Sequence, residues 1–142
     1  MASFKMRVLY YSKSGKIAAM AGAIASKYDV KLDDIPPAYP CENEKLVVIG
    51  ISVGKEVPND LRLFLQGFEK ARAKNVAFFV DGPKETAREA MNYVRERGVN
   101  VIDEACYVKG GLPFKFIKGV KEEEKTALLN WIDKIYADIE KQ

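Results

Sequence analysis

The sequence predicts a single α/β domain over residues 1–142, with a five-stranded, mainly parallel sheet covered by helices on both faces. Short apolar runs rich in β-branched residues recur along the chain, and two of them are apolar throughout, as in strands that are buried on both faces. Segments with helical spacing of apolar residues lie between these runs. No internal repeat, linker or low-complexity tract interrupts the alternation, so one strand–helix unit follows another five times.

The first half of the chain contains three predicted strands and two predicted helices. A strand is predicted where β-branched and aromatic residues form a short run, and a helix where apolar residues recur every three to four positions. Proline ends the second strand and suits the start of the second helix, whereas Gly67 within that helix costs about 1 kcal/mol. The predicted elements are a strand at 7–11, a helix from near Lys16, an edge strand at 30–35, a central strand at 46–51 and a helix behind Pro58.

The second half repeats the alternation. Residues 76–80 predict another buried strand, and the apolar face of the next helix continues up to Gly98, a residue type that suits a helix C-cap. The fifth strand is predicted within 99–109, most strongly at 105–108. The acidic residues 122–124 favour the start of a closing helix. The apolar stripe of that helix is Leu128, Trp131, Ile132, Ile135 and Ile139.

The composition excludes several classes of function. A chain with 48% hydrophobic and 30% charged residues is typical of a globular domain. It has no histidine, which excludes Ser-His-Asp and Cys-His catalysis and removes the commonest metal ligand. Cys41 and Cys106 form no C-x-x-C motif, so we expect free thiols and no metal site. Asp33 and Asp34 are interpreted as a solvated turn, with metal binding as the weaker alternative.

Charge and hydropathy bear on location and partners. The net charge of +3 is only mildly basic, so nucleic-acid binding is not predicted. No apolar run reaches membrane-spanning length, and the N-terminal residues lack the apolar stretch of a secretory signal. We therefore expect a cytoplasmic protein that is not inserted in a membrane.

The turn between the first strand and the first helix carries the clearest functional signal. Ser12, Lys13, Ser14, Gly15 and Lys16 combine hydroxyl groups, a glycine that can adopt positive φ, and two cations at a helix N-terminus. Helix N-termini normally favour acids, and a bound phosphate would make the lysines favourable. The turn predicts a site for a phosphorylated ligand, and an ordinary strand-to-helix turn is the alternative.

Two common phosphate-binding motifs do not fit this turn. A Walker A loop needs glycine where the chain has Tyr10, and a hydroxyl residue where it has Ile17. The G-x-G-x-x-G motif of dinucleotide-binding domains is also absent after the first strand. Neither ATP hydrolysis by a P-loop nor a conventional NAD domain is predicted.

The turn instead resembles that of the flavodoxin family, whose first strand ends in a [ST]-x-[ST]-G-x-[ST] loop around the phosphate of FMN. Positions 12–16 match this pattern, and Ile17 does not. The order of elements and the sequence GISVG at 50–54 extend the resemblance over the whole chain, which looks most like short flavodoxin domains, including those of protoporphyrinogen-oxidase-like proteins. The resemblance implies a flavodoxin-like three-layer sandwich with strand order 2-1-3-4-5.

The resemblance also implies an FMN-binding electron carrier that acts with redox partner proteins, as a monomer or weak dimer. It implies no catalytic side chain and no metal. The first segment would hold the FMN phosphate, and two further segments would flank the isoalloxazine ring. The implied cofactor-binding residues are Ser12, Lys13, Ser14, Gly15, Lys16, Ile17 through its amide, Ser52, Val53, Gly54, Lys55, Asp81, Gly82, Pro83 and Lys84.

Two departures from the family pattern predict a loosely held flavin. Ile17 removes a hydroxyl worth about 0.5–1.5 kcal/mol as a hydrogen-bond donor. The two ring-flanking segments lack the Trp or Tyr that commonly stacks on the flavin, a contact worth about 0.5–1.5 kcal/mol. The alternatives are a flavin-free module of the same fold that binds another phosphorylated ligand or a protein, and an FMN-dependent quinone or porphyrinogen oxidoreductase.

Five lysines are predicted to lie at the same end of the sheet, so that their fields overlap. Such a cluster predicts an anionic ligand and a raised reduction potential for bound FMN, although lysine is also common in loops that bind nothing. Phe114 and Phe116, beside Lys115 and Lys118, predict either a docking patch or simple loop packing. The five lysines are Lys13, Lys16, Lys55, Lys84 and Lys109.

Overall fold

The computed structural model describes residues 2–12, 15–108 and 122–142. Strands and helices alternate through most of this part of the chain, as the hydrophobic pattern predicts. The elements are β1 (Met6–Tyr11), α1 (Gly15–Tyr28), β2 (Lys31–Asp34), β3 (Glu44–Ser52), α2 (Asn59–Gln66), β4 (Ala73–Asp81), α3 (Lys84–Arg95), β5 (Asn100–Val101), β6 (Cys106–Tyr107) and α4 (Glu122–Glu140).

The sheet has the order β2-β1-β3-β4, and both β5 and β6 pair with the far side of β4. All pairs of strands are parallel. β3 is central and β2 is an edge strand, so the predicted order 2-1-3-4-5 is confirmed. The fifth position, however, is shared by two strands of two residues each. Asp103 and Glu104 are exposed between them and interrupt the apolar pattern that a continuous strand would need.

The side chains of the sheet alternate between two hydrophobic clusters, which makes the molecule three layers thick. One face packs against α1 and α4, and the other packs against α2 and α3. Neighbouring residues therefore belong to different clusters: Val8 and Phe79 lie in the first, and Leu9 and Phe78 lie in the second. All four are fully buried, as expected for a sheet covered on both faces.

Three details of the helices differ from the sequence predictions. Gly67 is not inside α2 but caps its C-terminus, where its N–H donates to the Leu63 and Phe64 carbonyls, so the predicted interior penalty does not apply. The C-cap of α3 is Glu96, and Gly98 adopts its positive φ of 85° two residues later. On α4, Trp131 is only half-buried, and its Nε1–H donates to the Glu104 carbonyl.

Asp33 and Asp34, interpreted from the sequence as a solvated turn, lie within β2. Asp33 accepts a hydrogen bond from the buried guanidinium of Arg7, which explains why an acid occurs there. Within the described residues, no group of three or more His, Cys, Asp or Glu side chains could hold a metal ion. Cys41 and Cys106 are free thiols, and burial raises the pKa of each to about 11.

None of the helices in the described ranges is both long enough and apolar enough to cross a membrane.

Candidate functional site

Three of the sequence-predicted segments meet at one end of the sheet. Ser12 follows β1 directly, Ser52 ends β3 and Asp81 ends β4, and Ser52 pairs with Asp81 across the sheet. Because the strands are parallel, their carboxyl ends lie side by side, where ligands bind in open α/β sheets. We call the described residues of segments 12–17, 52–55 and 81–84 the carboxyl edge. Lys13 and Ser14 lie outside the described residues.

The N-terminus of α1 has the features of an anion site. The helix begins at Gly15, and its first turn contains no acidic residue. The first amides of any helix have no acceptor within the helix, so they are available to a ligand. Gly15 is exposed, and a β-carbon added there would meet no atom within 4 Å. Among the described residues, no atom from outside this helix therefore crowds the β-position of Gly15.

Ile17 departs from the family pattern for a reason of packing. Its side chain is fully buried in the cluster between α1 and the sheet, together with Met20, Ala21 and Ile24. A hydroxyl residue at this position would lose that apolar contact. Only the main chain of Ile17 is therefore left to meet a ligand, as the resemblance implied for its amide.

Lys16 forms an ion pair that the sequence did not reveal. Its Nζ lies 2.7 Å from Oε2 of Glu124, in the first turn of α4, and the two side chains are only 13% and 20% exposed. The charge of Lys16 is therefore largely balanced within the protein. Lys55 and Lys84 are exposed at the carboxyl edge, whereas Lys13 and Lys109 lie outside the described residues. The predicted overlap of five lysine fields thus stays a prediction, and Glu124 reduces the contribution of Lys16.

The 52–55 and 81–84 segments are tied into one unit. The Val53 N–H donates to the Asp81 carbonyl at 3.0 Å, and the Thr86 hydroxyl donates to the Gly54 carbonyl at 2.7 Å. Gly82 packs so closely that a β-carbon there would lie 2.4 Å from the Val53 carbonyl oxygen. These contacts fix the two segments relative to each other before any ligand binds.

Thr86 was missed because a threonine in a helix gives no sequence signal for this bond; only its burial, at 3% exposed, marks it. A second missed contact joins β1 to α2, where the Tyr11 hydroxyl donates to Asp60 Oδ1 at 2.8 Å. Burial, followed by the hydrogen bond and the charge of Asp60, raises the pKa of Tyr11 to about 12. Tyr11 is therefore neutral at physiological pH.

An aromatic side chain also stands at this end of the sheet. Tyr107, the last residue of β6, pairs with Val80 and is 40% exposed. The Lys84 ammonium lies 5.4 Å from the centroid of its ring, within cation–π range. The 52–55 and 81–84 segments themselves carry no aromatic residue. The docking patch predicted around Phe114 and Phe116 lies outside the described residues.

Three cavities bordered by described residues lie away from the carboxyl edge. The largest of them, about 490 Å³, lies at the opposite end of the sheet and is bordered by Phe4, Arg7, Tyr39 and Glu44; we call it the amino-end cavity. A second of about 300 Å³ lies between α1 and the start of α4, and a third of about 270 Å³ lies beside α2.

Comparison with solved structures identifies the class of fold. A flavodoxin from the domain Archaea superposes with a TM-score of 0.75 at 17% identity, over 96% of this chain and 99% of its own. Flavodoxin 2 from Bacillus cereus gives 0.68 at 20% identity, over 94% and 98%. Rubredoxin oxygen:oxidoreductase from Desulfovibrio gigas gives 0.68 at 15% identity, over 98% of this chain but 37% of that longer one.

No protein-family model matches the sequence, and no curated protein does. The fold is thus flavodoxin-like, as the sequence predicted, and the likeness extends over nearly the full length of two flavodoxins. At these identities the comparison establishes the architecture, and the chemistry has to be argued from the carboxyl edge itself.

Proposed function

We propose that this protein binds FMN at the carboxyl edge and carries electrons between redox partner proteins. The observation that carries the proposal is the start of α1 at Gly15, where the first turn contains no acidic residue. It lies at the same end of the sheet as the 52–55 and 81–84 segments, which hydrogen bonds hold together. This arrangement occurs on a fold that matches flavodoxins over nearly their whole length. Its parts fit the two ends of FMN, a phosphate and a flat ring.

The residues divide between these two ends. The phosphate is held by main-chain amides at the start of α1, with Ser12, Lys13, Ser14 and Lys16 around it. The ring lies against the 52–55 and 81–84 segments, which the Thr86 hydrogen bond holds in place. Bound FMN supplies one- and two-electron redox chemistry, and the protein supplies binding, orientation and electrostatics.

Exposed cations beside the ring favour its reduced, anionic form. Lys55 and Lys84 are exposed at the carboxyl edge, and a positive charge near a developing anion stabilises it by an amount that depends on distance and screening. The reduction potential is therefore raised relative to a flavin in acidic surroundings. A redox titration in which Lys55→Gln and Lys84→Gln leave the potential unchanged would contradict this part of the proposal.

The rest of the proposed role concerns partners and location. Lys55 and Lys84 are exposed at the carboxyl edge, so a partner redox protein can approach this side of the proposed site from solvent, which suits an electron carrier. We propose a cytoplasmic protein that works as a monomer or weak dimer, with no catalytic side chain of its own.

A second candidate is a flavin-free module of the same fold that binds another phosphorylated ligand or a protein. Two observations favour it: the ring-flanking segments carry no aromatic residue, and the Lys16 charge is balanced by Glu124. Both features lower the expected affinity for FMN without changing the fold.

A flavin titration separates the two candidates. Protein stripped of any bound flavin is titrated with FMN and with riboflavin, which has the same ring but no phosphate, and flavin fluorescence is followed. Saturable quenching with at least about tenfold tighter binding of FMN supports the proposal, since tenfold corresponds to 1.4 kcal/mol for the phosphate contacts. If neither flavin binds at micromolar concentrations, the flavin-free module is the better description.

A further inference from the structure

The ion pair between Lys16 and Glu124 joins the proposed phosphate site to the last helix. Its Nζ–Oε2 distance is 2.7 Å, and both side chains are mostly shielded from water. Among the ion pairs in the described ranges, it is the one in which neither partner is more than 20% exposed. Charges in such surroundings interact more strongly and are screened less by salt than surface pairs.

The helix dipole of α4 does not by itself require an acid at position 124. Acids near a helix N-terminus interact favourably with the helix dipole, and the first turn of α4 has three: Glu122, Glu123 and Glu124. Glu122 and Glu123 are exposed to solvent, whereas Glu124 is half-buried. Of the three acids, Glu124 is the one whose ion pair with the first turn of α1 is found among the described residues, because it lies on the same face of α4 as the buried Leu128.

A carboxylate at this place opposes a phosphate in two ways. It balances the charge of Lys16, in the first turn of α1. Its own charge also repels a phosphate dianion that approaches the site. A neutral ring or sugar that binds the 52–55 and 81–84 segments is not affected in this way.

We propose that Glu124 is a specificity-determining residue that weakens the binding of phosphorylated ligands at the carboxyl edge by engaging Lys16. This inference rests on the proposed function, because it requires that the phosphate bind beside the start of α1. As a consequence, Glu124 makes bound FMN exchangeable. Removing its negative charge increases the affinity for FMN without altering the affinity for riboflavin.

The test compares Glu124→Gln with Glu123→Gln, which removes the same charge from an exposed position of the same turn. Flavin-free wild type and both variants are titrated with FMN and riboflavin at low salt. We expect Glu124→Gln to increase the affinity for FMN about tenfold and to change the affinity for riboflavin by less than twofold. The preference for FMN over riboflavin should rise accordingly. Glu123→Gln is expected to change both affinities by less than twofold.

A double-mutant cycle keeps the inference testable if Glu124→Gln disturbs the packing of α4. Lys16→Gln is made in the wild type and in the Glu124→Gln background, and thermal unfolding reports stability separately. We expect Lys16→Gln to lower the affinity for FMN more in the Glu124→Gln background than in the wild type, since the Glu124 carboxylate then no longer competes with the phosphate for Lys16. Equal losses in both backgrounds would overturn the inference.

The outcomes distinguish the inference from the proposed function. If wild type prefers FMN over riboflavin but Glu124→Gln leaves that preference unchanged or lowers it, the function stands and the role of Glu124 is wrong, because Glu124 would then be a structural or positioning partner of Lys16. If wild type binds neither flavin, or both equally, the proposed phosphate site itself fails.

Discussion

The two ends of the sheet use their polar groups differently. At the amino end, the buried Arg7 donates to the Tyr39 carbonyl and to Asp33, and the buried Glu44 lies 3.8 Å from Lys5. At the carboxyl edge, main-chain groups and exposed lysines predominate. The cavity of about 490 Å³ is at the amino end, yet its two buried charged groups, Arg7 and Glu44, already have partners within the protein. The proposed binding site therefore lies at the opposite end of the sheet from this cavity, among polar groups that are exposed.

We predict the largest effect at the junction of the 52–55 and 81–84 segments. Gly82→Ala places a β-carbon 2.4 Å from the Val53 carbonyl oxygen at a φ of 155°, which should cost about 2–3 kcal/mol of unfolding free energy. Urea denaturation measures the loss. Gly54→Ala is the matched control, because a β-carbon there meets nothing within 4 Å and stability should change by less than about 0.5 kcal/mol. Equal losses in both variants would show that the junction is not tightly packed.

The amino end should affect stability without affecting ligand binding. Arg7→Met removes the hydrogen bonds to Tyr39 and Asp33 and should cost about 2 kcal/mol, since Asp33 is partly exposed and can be rehydrated. The FMN affinity of the folded variant should stay within twofold of wild type. Urea denaturation and a fluorescence titration together check this. A parallel loss of affinity would mean that the two ends are coupled.

Removing the Thr86 hydrogen bond should have a smaller effect on stability, but unlike Arg7→Met it should also lower the affinity for ligands. Thr86→Val keeps the shape of a buried side chain but removes the bond to the Gly54 carbonyl, which should cost about 1 kcal/mol. Because the bond holds the 52–55 segment, the affinities for FMN and riboflavin should fall together, by a few-fold. Titration with both ligands checks this, and a loss confined to FMN would place the phosphate, rather than the ring, near Thr86.

The smallest effect concerns alkaline pH. The pKa of Tyr11 is raised from 10.0 to about 12, so the fold favours the neutral phenol. That contribution to stability is fully present below pH 10 and is lost as pH rises toward 12. Tyr11→Phe should therefore flatten this part of the stability profile and cost less than about 1 kcal/mol at pH 8. Urea midpoints from pH 8 to pH 11.5 measure it; an unchanged slope would contradict the assignment.

Most of the fold could be predicted from the sequence because buried parallel strands and amphipathic helices leave strong local patterns. The run at 46–51 lies within β3, and the stripe from Leu128 to Ile139 lies on α4. The split of the fifth strand was missed, because the apolar residues around Asp103 and Glu104 are too few to set a period. The end of α2 at Gly67 depends on a cap geometry that spacing alone does not give.

The site could be predicted only where it is local in sequence. Segments 12–17, 52–55 and 81–84 follow from the rule that ligands bind at the carboxyl ends of parallel strands. The pairs Lys16–Glu124 and Tyr11–Asp60 join residues far apart in the chain, and no spacing rule connects them. The helical pattern predicts that Ile17 is buried. Only the packing in the structure shows that its main chain, and not its side chain, is left to meet a ligand.

The short outer strands of the sheet also bear on self-association. Across the described residues, the sheet ends in β2, of four residues, on one side and in two-residue strands on the other. Long, regular edges offer unpaired main-chain groups that recruit a strand from another molecule, and short, interrupted edges do not. Within the described residues, the broken fifth strand therefore offers fewer unpaired main-chain groups to a second molecule than a continuous strand would.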